Sequence, residues 1–175
     1  MPTDYELTPE EIKEGIKFCY QHIQLLLDAT ETVLNRNNRY ISSGLYTHAV
    51  EELGKLLLLQ KELNKSPTGK IISVNPTIFG KSGGGHTTMK FEEFMKESSI
   101  PEACKKLRYV KGAIYTGGFR VFFGEVSTDF LLRLNIFYVD RKNGTWLRHP
   151  DIEISDLRRA IEELRKWMVT NITIF

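Results

Sequence analysis

Four ionisable residues, His48, Glu51, Glu52 and Lys55, are spaced by three or four positions, so a helix would bring them to one side. Imidazole, carboxylate and ammonium groups at close range suit acid–base chemistry and the stabilisation of phosphate charge. The same spacing also suits a solvent-exposed face. However, the adjoining turn, Leu56–Leu59, is apolar all round, which predicts neighbouring helices on every side. Charges beside a buried turn need partners, so a functional site and a structural polar network both remain open.

A second pair with chemical potential follows the glycines at 83–85. His86 and Lys90 are four residues apart, so on a helix both side chains would point the same way. Histidine is the natural acid or base near neutral pH, and lysine can hold a phosphate group. A loop histidine beside a surface lysine would give the same pattern.

The sequence gives little support for a metal site, a nucleotide-binding loop or a serine-hydrolase motif. His48 and Glu52 could form a ligand pair with His86 as a third ligand, but the paired Glu-x-x-His pattern of di-iron bundles is absent. Asn75–Ser82 does not form a phosphate-binding loop, because Asn75 replaces the required glycine and three more glycines follow instead of a helix. No GxSxG nucleophile elbow occurs either. We therefore expect no metal and no cofactor.

A late segment mixes basic and aromatic residues in a way that suits RNA or protein contact. Tyrosine and tryptophan in such a segment can equally be core anchors. The candidate RNA-binding residues are Arg133, Tyr138, Asp140, Arg141 and Arg148.

The elements that must position these groups are mostly helical. Thr8 is a predicted N-cap, with Pro9 at the first helical position and Glu11 completing a capping box. Helical periodicity follows as far as the break at 35–38. A second helix is predicted from Ser42 or Ser43 to about Leu63, forming an antiparallel pair with the first.

Beyond residue 65 the pattern is less regular. We expect a long Gly-rich loop over 66–85, a short helix over 87–97 and a further helix from Pro101 through Val110 to Ile114. A turn signal at 142–144 favours a short hairpin or an extended arm near residues 130–147. Ser155 is the predicted cap of a last helix. The predicted fold class is therefore mainly all-α, in a single domain over 1–175.

Composition limits the class of protein. The formal net charge of +2 permits nucleic-acid contact but is far from a strongly basic footprint. Cys19 and Cys104 lie far apart and build neither a disulfide framework nor a zinc site, which favours a reducing compartment. The acidic N-terminal segment does not resemble a signal peptide, and no apolar run is long enough to cross a bilayer. We expect a cytoplasmic protein without membrane contact.

Four segments, taken in order, resemble the AbiV-type abortive-infection family. The segment 40–59 resembles its second-helix signature of Gly-x-Tyr, Ala and Glu-Glu-x-Gly-Lys, and 27–29 resembles its first helix. The segment 83–90 resembles its His-x-x-x-Lys element, and 136–150 its late Tyr-Val-Asp, Trp and Pro element. The matching residues are Leu27, Asp28, Ala29, Gly44, Tyr46, Ala49, Glu51, Glu52, Gly54, Lys55, His86, Lys90, Tyr138, Val139, Asp140, Trp146 and Pro150.

This family is grouped with the HEPN superfamily of small helical bundles. The resemblance implies a HEPN-like antiparallel bundle, a homodimer and a role in defence against phage through RNA or the translation machinery. One feature departs from the pattern, because HEPN ribonucleases carry an arginine followed after four to six residues by histidine. Arg39 and Arg141 precede His48 and His149 by more than that. If the chain cleaves RNA, residues other than such an Arg–His pair must catalyse the reaction.

Two hypotheses lead, and a metal-dependent hydrolase is a third. The first is an abortive-infection effector that acts on RNA or a ribosome-associated target, with ribonuclease activity as one form of that action. There His86 would be the acid or base, Lys55 and Lys90 would stabilise phosphate charge, and Glu51 or Glu52 would orient one of them. The alternative is a non-catalytic binding or dimerisation module of a toxin–antitoxin or defence system, with a phage protein or an antitoxin as its partner.

Overall fold

The structure is a computed structural model, and it describes residues 4–65, 70–79, 85–106, 109–111, 125–127, 141–142, 145–146 and 153–175. Its described part is mostly helical, which confirms the predicted all-α class. The α-helices are α1 (Pro9–Asn35), α2 (Arg39–Lys65), α3 (Gly85–Lys96), α4 (Glu102–Lys106) and α5 (Ile154–Asn171). A 3-10 helix spans Pro76–Phe79.

Short strands form three two-stranded antiparallel sheets in the described residues. Strand β1 (Tyr5–Leu7) pairs with β2 (Ile72–Val74), and β3 (Tyr109–Lys111) pairs with β4 (Glu125–Ser127). Strand β5 (Arg141–Lys142) pairs with β6 (Thr145–Trp146). The last pair confirms a hairpin within the segment 130–147, most of which lies outside the described residues.

The predicted start of α1 is confirmed. The Thr8 hydroxyl accepts a hydrogen bond from the Glu11 amide, and the Glu11 carboxylate accepts one from the Thr8 amide at 2.7 Å. These reciprocal bonds satisfy two backbone N–H donors at the helix start and fix where α1 begins. The Glu11 carboxylate is hydrogen-bonded to the Thr8 backbone and hydroxyl, which lowers its pKa.

The predicted start of α2 is wrong by several residues. Asn37 adopts a left-handed conformation (φ 58°) in the turn, and the Asn38 side chain accepts a hydrogen bond from the Ile41 amide. Asn38 therefore caps α2, since asparagine tolerates the turn and supplies a side-chain acceptor. Ser42 and Ser43 lie inside the helix, where their hydroxyls donate to backbone carbonyls of the preceding turn.

Other expectations also needed correction. The segment 66–85 is not simply loop, since β2 and the 3-10 helix occupy part of it. The helix predicted from Pro101 through Val110 ends at Lys106, and Val110 lies in β3, where its β-branched side chain is favoured. Ile114 lies outside the described residues. Ser155 does not cap α5; Glu153 occupies the cap position without a side-chain hydrogen bond.

The helices α1 and α2 run antiparallel, as predicted. Gly15 of α1 lies opposite Leu59 of α2, whereas His22, further along α1, lies opposite Glu52, earlier in α2. In the turn Leu56–Leu59, three of the four leucines are buried and Leu57 is partly buried, so the predicted burial is confirmed on all but one side. The described buried apolar side chains form one core cluster with contributions from α1, α2, α3 and α5.

The helix α5 closes this core from the other side. Leu157 and Leu164 are fully buried, and the Cys104 thiol of α4 donates a hydrogen bond to the Ala160 carbonyl. Arg165 links α5 to α1 through hydrogen bonds to Gln24 and Asp28. These contacts hold α5 against α4 and α1.

Candidate functional site

Charged side chains from three helices meet where α1, α2 and α3 come together. The members are His22 of α1, Glu51, Glu52 and Lys55 of α2, and Lys90 of α3, and we call them the ionic cluster. The cluster has a buried half, Glu51 and Lys90, and a partly exposed half, Glu52, Lys55 and His22. The structure therefore brings together four of the five residues predicted from the sequence as candidates for catalysis.

The buried half joins α2 to α3. The Lys90 ammonium lies 3.8 Å from the Glu51 carboxylate, and the two side chains are only 6% and 8% exposed. That distance is too long for a hydrogen bond, so the attraction is mainly that of opposite charges in a poorly solvated place. Burial lowers the pKa of Lys90, while the charge of Glu51 opposes this shift. The pair fixes the two helices relative to one another.

The partly exposed half joins α2 to α1. The Lys55 ammonium donates a hydrogen bond to the Glu52 carboxylate at 2.6 Å, and the His22 Nδ1 lies 3.8 Å from the same carboxylate oxygen. Burial alone would lower the pKa of Lys55, but the hydrogen bond to Glu52 and the negative charges of Glu52 and Glu51 act in the opposite direction, and the pKa is raised. Lys55 is therefore a persistent cation that solvent can reach.

Gly54 explains how closely α3 approaches the site. A β-carbon at this position would lie 2.6 Å from the carbonyl carbon of Lys90 and would overlap its carbonyl oxygen. Real β-carbons do not come so near to backbone atoms, so α3 can pack here only against a residue without a side chain. Gly54 thus positions the backbone that carries Lys90.

Cys19 lies beneath the cluster and does not act as a nucleophile. Burial raises the pKa of its thiol to about 11, and a hydrogen bond to Glu52 works in the same direction. A thiol with that pKa stays protonated at neutral pH, whereas the reactive form of cysteine is the thiolate. Cys19 is a packing residue of the α1–α2 interface.

His48 lies one turn before Glu52 on α2. Its Nδ1 lies 3.9 Å from the Glu51 carboxylate, and the side chain is partly exposed. Glu52 bonds to Lys55 and faces His22. Its carboxylate is therefore already engaged and does not join His48 in the metal-ligand pair considered from the sequence. Within the described residues, no group of three His, Cys, Asp or Glu side chains could hold a metal ion.

The helix α3 begins at Gly85, two residues before the predicted start at 87, so His86 lies in its first turn, one turn before Lys90. The side chain of His86 lies outside the described residues. Of the predicted RNA-binding residues, only the backbone of Arg141, in β5, is described. Arg133, Tyr138, Asp140 and Arg148 lie outside the described residues.

Sequence analysis missed the contribution of α1. His22 follows Cys19 by three residues, so it lies beside the buried stripe of α1 rather than opposite it. Antiparallel pairing of α1 with α2 then places this edge next to Glu52. Two features of the sequence could have predicted this contact: the buried apolar stripe of α1, and the short turn at 36–38, which sets the register in which α1 and α2 pair.

The arrangement can do acid–base chemistry on an anionic substrate. It offers a solvent-accessible ammonium, imidazole groups close to carboxylates, and a buried ion pair that holds the helices. Such groups exchange protons near neutral pH and stabilise negative charge that develops in a reaction. No family model matches the chain, and comparisons with curated proteins and with solved structures find no match.

Proposed function

We propose that this protein is an abortive-infection effector of the AbiV type, in the HEPN superfamily, that acts on RNA as a ribonuclease. The observation that carries the proposal is the meeting of Glu52, Lys55 and His22 at a partly exposed place, backed by the buried Glu51–Lys90 pair. The sequence resemblance singles out four of these five residues. In this proposal the protein works in the cytoplasm as a homodimer, on free or ribosome-associated RNA.

Each residue has a role that follows from its surroundings. Lys55 contacts the phosphate, because its raised pKa keeps it charged and solvent reaches it. Glu52 orients Lys55 through their hydrogen bond. Lys90 is too deeply buried to receive a phosphate in this conformation, so it is a positioning residue together with Glu51. His86, one turn before Lys90, remains the acid or base predicted from the sequence.

The test compares purified variants of the full chain on total bacterial RNA, with intact RNA measured by gel densitometry. We expect the wild type to degrade RNA and Lys55→Ala to lose about 100-fold in rate, as when one stabilising group is removed from a transition state. His86→Ala should lose at least as much. The matched control is Lys61→Ala, which removes a more exposed lysine of α2 that pairs with Glu93.

The outcomes separate the two forms of the proposal. Intact RNA combined with inhibition of cell-free translation would reject ribonuclease action and retain an effect on the translation machinery. Intact RNA and undiminished translation, together with no reduction of phage yield in cells expressing the protein, would reject the proposed function altogether.

One observation favours the alternative function, a non-catalytic binding module. The buried Glu51–Lys90 pair and the contact at Gly54 would serve equally well to hold α2 against α3 for presentation of a surface. In that case Lys55→Ala should leave RNA and phage yield unaffected, while disruption of the buried pair abolishes partner binding through loss of folding. Wild-type RNA cleavage that Lys55→Ala removes without loss of melting temperature would exclude this alternative.

A further inference from the structure

Large apolar side chains are exposed on the outer face of α1 and on the segment that follows α5. Phe18 of α1 is 59% exposed, and so is Phe175. At about 100° per residue, Phe18 lies about 200° around α1 from the fully buried Ile16, so it belongs to the face turned away from the core. Single exposed apolar residues are common, but two aromatic rings that share one surface are typical of an interaction site.

The two rings line one groove of about 480 Å³ on this face. Charged side chains of α1 line it as well, two of each sign: Glu10, Glu14, Lys13 and Lys17. The Lys13 ammonium lies 5.5 Å from the centre of the Phe175 ring, and this cation–π contact holds the ring over the first turns of α1. The groove therefore has an aromatic centre with charges of both signs around it.

The balance of charge decides which partner fits this groove. Nucleic acids and anionic lipids are bound by an excess of lysine and arginine, whereas acidic and basic groups are equal in number here. A matching partner must itself present an apolar centre with both signs of charge around it. The same face of a second copy of the chain meets this requirement.

The spacing of the charges along α1 makes this face complementary to itself. Glu10 and Lys17 are seven residues apart, so they share one strip of the helix and lie about 10 Å apart along its axis. A second α1 that runs antiparallel, related by a twofold axis midway between them, puts Glu10 of each copy opposite Lys17 of the other. That axis passes next to Lys13, so the two Phe175 rings meet at the centre. An apolar centre within a charged rim is the usual anatomy of a protein interface.

We propose that this face binds a second copy of the chain, through antiparallel contact of the two α1 helices around Phe18 and Phe175. This inference rests on the homodimer of the proposed function and names the surface that forms it. The residues that line the groove include no member of the ionic cluster. The two clusters of the dimer are therefore separate sites, each complete within one copy.

The experiment measures the mass of the full chain by sedimentation velocity over a series of protein concentrations. Wild-type protein should form a dimer, and Phe175→Asp should be monomeric, because it puts two carboxylates at the centre of the interface. Phe18→Ala should raise the Kd of the dimer. Leu25→Ala is the matched control, since Leu25 is 65% exposed on the same strip of α1 but lies beyond Pro9, where α1 of the second copy begins. It should leave the Kd unchanged.

Charge reversal tests the register of the two helices. Glu10→Lys puts lysine opposite Lys17 at two symmetry-related places, and Lys17→Glu puts glutamate opposite Glu10, so each variant should raise the Kd about 10-fold. The double variant restores two pairs of opposite charge and should return the Kd close to the wild-type value. Thermal melting of each variant checks that it is folded, because Glu10 also complements the first turn of α1.

Three results would overturn the inference, and they differ in what else they reject. A dimer that none of these variants weakens would leave a homodimer formed through another face. A folded double variant that does not regain the wild-type Kd would show that Glu10 and Lys17 do not pair between copies. Wild-type protein that is monomeric at every concentration would reject the homodimer as well, whereas the RNA assay tests the ribonuclease separately.

Discussion

Gly54 of α2 lies so close to Lys90 of α3 that the carbonyl group of Lys90 occupies the space a β-carbon would need. The helices therefore meet at backbone distance next to the ionic cluster, and the same contact sets where Lys90 stands relative to Glu51.

The first prediction concerns this contact. Gly54→Ala should destabilise the fold by about 3 kcal/mol, because an added methyl group forces the α3 backbone away and strains the surrounding core. Gly15→Ala is the matched control, since its β-carbon would lie 3.5 Å from Leu59 Cδ1, an ordinary contact. That variant should stabilise α1 by about 0.5–1 kcal/mol through helix propensity. Denaturant unfolding measures both, and equal stabilities for the two variants would contradict the packing at Gly54.

The second prediction concerns the buried pair. Lys90→Met should cost about 3 kcal/mol, since it removes the ammonium that lies beside the buried Glu51 carboxylate. The double variant with Glu51→Leu should be more stable than the sum of the two single effects predicts, because apolar groups then replace both charges. Glu92→Gln, in an exposed pair with Lys96, is the control and should cost less than about 1 kcal/mol. Additive single effects in this double-mutant cycle would show that the two charges do not interact.

The third prediction concerns alkaline pH. Burial raises the pKa of Cys19 from 9.0 to about 11 and that of Cys104 from 9.0 to about 12. Both thiols stay protonated in the folded chain after they ionise in the unfolded chain. Their stabilising contribution is therefore complete below pH 9.0 and is lost as pH rises toward those folded values.

We expect a loss of about 1 kcal/mol per thiol near pH 10. Chemical unfolding at a series of pH values measures it, and the variant with Cys19→Ala and Cys104→Ala should show a shallower decline than the wild type. The difference between the two proteins isolates the thiols, because Tyr46 and Lys90 also titrate abnormally but are common to both. Parallel stability curves would show that the thiols are not buried as described.

The fourth prediction concerns the tie between α5 and α1. The Arg165 guanidinium donates to Gln24 at 2.9 Å and to Asp28 at 2.6 Å, in a fork that lysine cannot reproduce. Arg165→Lys should lower stability by about 1 kcal/mol in a thermal or denaturant melt. Arg159 is the control, because its ion pair in the described residues is with Glu163 of the same helix. Arg159→Lys should therefore have the melting temperature of the wild type. A neutral effect of Arg165→Lys would mean that apolar packing alone holds α5 in place.

Local signals in the sequence were sufficient for much of the fold. The capping box at Thr8 and Glu11 fixed the start of α1, and the apolar turn Leu56–Leu59 was rightly placed in the core. The start of α2 was misplaced because serine caps helices and also bonds back to the preceding turn inside them, as Ser42 does. Ser42 does not cap α2, because the Asn38 side chain occupies the N-cap position and accepts the hydrogen bond of the Ile41 amide.

The candidate site could be predicted only in part. The spacing of Glu51, Glu52 and Lys55 along one helix is visible in the sequence, as is that of His86 and Lys90. The partners across helices are not, since the contact of His22 with Glu52 depends on the rotation of α1 about its axis. The burial of the Glu51–Lys90 pair, in contrast to the partly exposed Glu52–Lys55 pair, likewise depends on how closely α3 approaches α2 at Gly54.

The pairing of β1 with β2 has a consequence for the order in which the chain folds. Tyr5 pairs with Val74 and Leu7 with Ile72, so two of the earliest residues have partners that follow the whole of α2. During synthesis β1 must wait until residue 74 has left the ribosome, by which time α1 and α2 can already pack as a local hairpin. The strand pair then forms last among these elements and joins the two ends of the helical hairpin. Nascent chains halted before residue 72 should therefore leave β1 unpaired and open to proteolysis.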